Sequence, residues 1–166
     1  MDVLTVEQRR LNMSRVRGRD TRPELAVRKA LHARGLRYRL HSRALPGCPD
    51  VVFPAFRTVL FVNGCFWHGH DCLLFKEPST RANFWKEKIG RTVRRDQERT
   101  NALIAQGWRV LTVWECALRG RRRRRLTDVV SRCEHFIRSG VGDCLEIAGE
   151  AGTAGRDGST RNQSLY

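Results

Sequence analysis

The sequence predicts a single domain of the α/β class with a short, non-core segment at each end. Its 166 residues suit one hydrophobic core. Stretches of helical period, near 21–34, 81–106 and 126–137, are interleaved with apolar segments of strand length at 36–40, 50–53, 58–62 and 108–114. The two middle segments are separated only by residues 54–57, a link short enough to make them a hairpin. The expected division is a basic N-terminal arm at 1–20, the folded domain at 21–138, and a flexible tail at 139–166.

Each element has a local reason. The first twenty residues are polar and basic with little periodic apolar surface, as in an arm that orders on a partner. Thr21 and Glu24 then have the spacing of a capping box, and Pro23 stands in the first turn, where its missing donor does little harm. Leu25, Val27 and Leu31 give that helix its apolar stripe, and Gly35 ends it. Leu36, Tyr38 and Leu40 alternate with basic residues, the pattern of a half-exposed strand. After the hairpin strands, residues 63–80 mix glycines, histidines and cysteines without periodicity and form an irregular loop. The long helix that follows has Phe84, Trp85, Ile89, Val93, Leu103 and Ile104 as packing candidates, with Gly107 as its stop. The strand at 108–114 delivers Cys116 just beyond its C-terminal end. The tail after 139 is rich in glycine and small polar residues and is expected to add little to the core.

A formal net charge of +15, carried mainly by arginine, favours a phosphate-rich partner through long-range attraction and counterion release. Nucleic acid is the leading class, ahead of an acidic protein. The run RGRRRRR at 119–125 reads either as a solvated surface or as a nucleic-acid contact. No apolar run is long enough to cross a bilayer and no signal-peptide core is visible, so a cytoplasmic protein without a membrane partner is expected.

The six cysteines are unevenly placed, and two of them share the segment VNGCFWHGHDC at 62–72 with two histidines. Cys65, His70 and Cys72 combine two thiolates and an imidazole, a set suited to structural zinc. The fourth ligand must come from elsewhere. Cys116 is the best candidate, with Cys48, Cys133, Cys144, His68 and Asp71 as alternatives on spacing. A closed zinc site leaves no open position for chemistry, so catalysis needs other groups. Asp50, directly after a proline turn, can offer a carboxylate to magnesium. His68 offers an imidazole that can activate water. Glu24 can order water at the metal, or merely cap its helix. Phe66 and Trp67 divide between core and base stacking, Trp85 reads more readily as core, and Met13 is open between the same roles.

On MSRVRGRDTRPELAVRKALHARGLRYRLH at 13–41, LPGCPDVVFP at 45–54, VNGCFWHGHDC, FWKEKI from Phe84, and GWRVLTVWECALRG at 107–120, the chain resembles the very short patch repair endonucleases. The resemblance implies a restriction-endonuclease-like domain with a central mixed β-sheet, helices on its flanks and a structural zinc site. It implies a monomer, associated with chromosomal DNA, that nicks the duplex 5′ to the thymine of a T:G mismatch left by deamination of 5-methylcytosine. DNA repair proteins are candidate partners. Asp50 is then expected to bind magnesium directly, His68 to act as general base and Glu24 to order water. Cys65, His70, Cys72 and Cys116 become the zinc set, and Phe66, Trp67 and Trp85 the wedge beside the mismatch, with Met13 joining from the arm. Family members can carry Thr-His where this chain has Val62-Asn63, so Val62 is expected to serve magnesium through its backbone carbonyl. Two other classes share the composition. A zinc-stabilised mismatch binder without catalysis would bind and not cut, and a restriction-like nuclease would cut matched duplex equally well.

Overall fold

The computed structural model describes residues 5–14 and 18–151. Helices α1 (Val6–Ser14) and α2 (Arg22–Ala33) lead into β1 (Arg39–Leu40), β2 (Val51–Phe53) and, after a 3-10 turn at Pro54–Phe56, β3 (Thr58–Asn63). The long helix α3 (Ala82–Ala105), β4 (Arg109–Trp114), the short α4 (Glu115–Leu118), α5 (Leu126–Ser139) and β5 (Cys144–Ile147) complete the order. The five strands form one mixed sheet in sequence order. The pairs β1–β2 and β2–β3 are antiparallel, whereas β3–β4 and β4–β5 are parallel. The hairpin expected across 54–57 is present, and the parallel pairs use α3 and α5 as their crossovers.

Strand alternation divides the apolar side chains between the two faces. Val51, Phe53, Leu60, Leu111 and Val113 join Val27 and Leu31 of α2 and Val129, Val130 and Cys133 of α5 in the main core. Val52, Val59 and Val110 meet Leu103 of α3 on the other face. Burial pushes the Cys133 thiol up to about 12, as befits a small apolar core residue.

The structure differs from the sequence reading at four points. The chain beyond 138 does contribute to the core, because β5 pairs with β4 and Ile147 is fully buried; residues 152–166 of the expected tail lie outside the described residues. Within the expected arm, 6–14 is helical, while 1–4 and 15–17 lie outside the described residues. In α3, Phe84 and Val93 are exposed, and only Leu103 is buried. That helix touches the sheet through its C-terminal part and leaves its N-terminal part to the 63–80 loop. The strand expected at 36–40 pairs only at Arg39 and Leu40, opposite Val52 and Val51.

Candidate active site and metal centre

Cys65 follows directly on the C-terminal end of β3, and Cys116 lies in α4, just past β4. Because β3 and β4 run parallel with Asn63 opposite Trp114, both cysteines emerge at the same edge. The loop then returns His70 and Cys72 to them. One ligand atom from each of Cys65, His70, Cys72 and Cys116 falls within 4.8 Å of every other. Of the alternatives, none joins this cluster. The thiols are prepared for a cation: the Cys116 N–H donates to Cys65 Sγ at 3.4 Å and the Gly149 N–H to Cys116 Sγ at 3.3 Å. Burial raises the Cys65 and Cys116 thiols above their usual range, a cost that a dication reverses. Burial lowers His70, with Glu146 and Asp71 pulling the other way, and the neutral imidazole is the ligating form. The His70 ring stacks on Trp114 at 4.2 Å, and Trp114 Nε1 donates to Glu146 on β5 at 2.9 Å. These residues fit a structural metal of the zinc type.

The second site lies in a cavity of about 620 Å³, lined among others by Asp50, Val62, Asn63, His68 and Asp96. Asp50 precedes β2, and its Oδ2 accepts the Val62 N–H at 2.8 Å. Burial pushes the Asp50 carboxyl up to about 6; the Glu24 charge adds to the rise, while the Val62 N–H, His41 and His68 oppose it. A half-buried, partly desolvated carboxylate of this kind suits a hard divalent cation. His68 Nδ1 is 2.5 Å from Asp96 Oδ2 on α3. With Asp96 as acceptor the imidazole proton sits on Nδ1, and Nε2 is free to accept one. Gly69 makes this approach of loop and helix feasible: its φ is +61°, and a Cβ there would stand 2.8 Å from Ile89 Cγ2. Sequence reasoning misses Asp96, since an acid midway along a polar helix looks like any solvated residue.

Glu24 is buried at the start of α2, and neighbours account for its charge. Its Oε1 lies 2.6 Å from Arg28 Nη1, and its Oε2 accepts the Asp20 N–H at 2.8 Å. Thr21 Oγ1 accepts the Glu24 N–H at 3.4 Å, so the expected box is present with its reciprocal bond moved back one residue. His41 Nε2 faces the same carboxylates, 3.4 Å from Glu24 and 3.6 Å from Asp20. Asp20, Glu24 and His41 have the makings of a cation site, but Arg28 already supplies the cation to both acids. The His41 backbone N–H also donates to the Asp50 carbonyl at 3.1 Å, tying this cluster to the cavity.

Phe66, Trp67 and Trp85 pack on one another, with ring centroids 5.1 to 6.1 Å apart. Phe75 stacks on Phe66, Phe84 meets Trp85 edge-on, and Lys88 Nζ lies over Trp67, Phe84 and Trp85. Met13, exposed on α1, lines a neighbouring cavity of about 460 Å³ with Trp67 and His68. Sequence-distant α1, the zinc loop and α3 thus meet around His68.

The family model for the DNA mismatch endonuclease Vsr matches residues 1–74. The chain is 53% identical over 117 residues, 70% of its length and 86% of the relative's, to the type II nicking enzyme V.XorIIP of Xanthomonas oryzae pv. oryzae. It is 47% identical over 138 residues to the DNA mismatch endonuclease Vsr of Escherichia coli, covering 82% of this chain and 87% of that one. With V.NmeAIP, a type II nicking enzyme of Neisseria meningitidis, identity is 37% over 138 residues, 82% of this chain and 99% of the relative. Among the described residues no helix is long and apolar enough to cross a membrane. With its mixed sheet, its Cys/His cluster and this breadth of identity, the chain belongs to the very short patch repair (Vsr) family of nucleases, within the restriction-endonuclease-like superfamily.

Proposed function

We propose that this protein is a magnesium-dependent mismatch endonuclease that nicks duplex DNA on the 5′ side of the thymine in a T:G pair, initiating very short patch repair. The observation that carries the reading is the His68–Asp96 pair, set in the same cavity as the half-buried Asp50. Asp50 and the backbone carbonyl of Val62 would hold magnesium. In an extended strand a residue's N–H and C=O leave on the same side, and the Val62 N–H is directed at Asp50. Magnesium, when bound, offsets negative charge developing on the phosphate and on the departing oxygen.

Asp96 fixes the His68 tautomer, and His68 Nε2 takes a proton from the attacking water. The water oxygen bonds to phosphorus as the bond to the leaving oxygen breaks. Glu24, held by Arg28 and the Asp20 N–H, orders water beside Asp50. Phe66, Trp67 and Trp85, joined by Met13, wedge into the duplex at the mispair, where unstacking costs least.

The test is a nicking assay with T:G and matched duplexes of the same sequence, with and without magnesium. Cleavage confined to the T:G strand and dependent on magnesium is expected, with His68→Ala lowering the rate by roughly 10²–10⁴-fold. Binding without cleavage, or equal cleavage of matched duplex, overturns the reading.

A further inference from the structure

We infer that the arginine turn at 121–125 is a preformed clamp for the phosphate backbone flanking the lesion, separate from the site that reads and cuts it. This rests on the reading of the chain as a nuclease acting on duplex DNA. A run of arginines is ordinarily a solvated surface, and three observations set this one apart.

First, its backbone is anchored. The Arg124 N–H donates to the Ala117 carbonyl at 2.7 Å, the Arg122 carbonyl accepts the Glu150 N–H at 2.8 Å, and Arg124 Nε reaches the Ala148 carbonyl at 2.7 Å. Gly149 lets this closure form, because a Cβ there would lie 2.8 Å from the carbonyl oxygens of both Arg122 and Cys116. Much of the ordering entropy of a flexible basic segment is therefore already spent before any ligand arrives.

Second, the guanidiniums that matter have no ion-pair partner among the described residues. Arg119 is paired with Glu115, Arg124 is committed to Ala148, and Arg123 Nη1 lies 3.5 Å from the Gly120 carbonyl. Arg121, Arg122 and Arg125 are exposed and make no ion pair among the described residues. Holding three such cations within one five-residue turn costs mutual repulsion that a polyanion relieves.

Third, the turn is mechanically joined to the aromatic set. Leu74 packs over Gly120, where a Cβ would meet its Cδ2 at 2.9 Å. The next residue, Phe75, stacks on Phe66, which contacts Trp67 and Trp85. A cavity of about 160 Å³ lies between the turn and the metal loop, lined by Cys72, Leu74, Arg121 and Arg122 but also by the acids Asp71 and Glu150. Those two acids do not ion-pair with the three free arginines, and the chain's net charge of +15 leaves the balance strongly positive. A duplex engaged by the aromatic cluster would run its backbone past this turn, and the planar guanidinium fork matches phosphate.

The test uses the full chain with R121Q/R122Q/R125Q, binding measured by fluorescence anisotropy without magnesium, on T:G and matched duplexes over a series of salt concentrations. Each lost phosphate contact lowers the slope of log K against log salt by about 0.9. A slope reduced by two to three contacts' worth, roughly 1.8 to 2.7, is expected, with equal loss on both duplexes and unchanged T:G preference. R121K/R122K/R125K, which keeps the charge, is expected to restore most of the slope and excludes misfolding as the cause. An unchanged slope overturns the proposal, as does a lost T:G preference at constant slope, which would make the arginines base readers. Binding of polyglutamate that needs these arginines while the DNA slope does not would assign the turn to an acidic protein and also overturn it. Absence of nicking by the unaltered protein would sink the functional reading alone, because the slope is read without cleavage.

Discussion

At the scale of single residues, two carboxylates are held in opposite conditions for opposite work. Asp96 is close against His68 and needs its charge to keep the imidazole proton on Nδ1. Asp96→Asn is expected to lower kcat by about 10²–10⁴-fold while KM and thermal stability stay put, because the amide can occupy the same space without selecting the tautomer. A parallel rise in KM would make Asp96 a DNA contact instead. Asp50 is destabilised in isolation. Burial lifts its pKa from 3.8 to about 6, so the folded chain binds this proton more readily than the unfolded chain does. Its contribution to stability is fully present below the unfolded value and is lost as pH rises through the folded one. In magnesium-free buffer, Asp50→Asn is therefore expected to match the parent near pH 4 and to be more stable by roughly 1–3 kcal/mol above pH 6. Parallel melting curves across pH 4–7 check this; a constant gap between the two proteins would contradict it.

At the scale of elements, the approach of α3 to the metal loop decides whether His68 meets Asp96, and Gly69 decides the approach. Gly69→Ala meets a left-handed backbone penalty of roughly 1–2 kcal/mol and a close contact with Ile89, so both melting temperature and nicking rate are expected to fall. An alanine variant with parental activity would show that the pair forms without this packing. The same elements show what the sequence could carry. The hairpin, β4 and the ends of α2 and α5 are legible, because period, turn residues and caps are local signals. The metal set is legible because two cysteines and a histidine crowded into one short loop, with a third cysteine just past a core strand, seldom serve any purpose but ligation. Asp96 and His41 are hidden: their roles arise from contacts across 28 and 17 positions of chain that no local pattern announces. β5 is hidden for a different reason. A strand of CLEI among glycines and acids has a weak pattern of its own, and only pairing with β4 buries Ile147. Phe84 of α3 passes for a packing residue in the sequence because its apolar character is visible there and its exposure is not.

At the scale of the whole molecule, the sheet supplies a rigid floor and the metal centre carries its order into a loop that has little core of its own. Cys65 and Cys116 are tied to the ends of β3 and β4, while Leu73 is exposed and Phe66, Trp67 and Phe75 are only partly buried. The two halves should therefore respond differently to metal removal. The main core of α2, α5 and the strands includes none of the four ligands, so it is expected to stay folded when the metal is stripped. The 63–80 loop loses the cation that offsets its buried thiols and should open, taking His68 away from Asp96. Treatment with a strong chelator is expected to retain most far-UV circular dichroism, to abolish the near-UV signal of the packed tryptophans, and to expose all four ligands to thiol-specific or histidine-specific reagents. The melting temperature is expected to fall by about 10 °C, corresponding to several kcal/mol for a chain of this size. Adding zinc back should restore both the near-UV signal and nicking, whereas magnesium alone should restore neither. Retention of the tryptophan signal after verified metal loss would show that the loop is held by its own packing, and the metal centre would then have no part in organising the cleft.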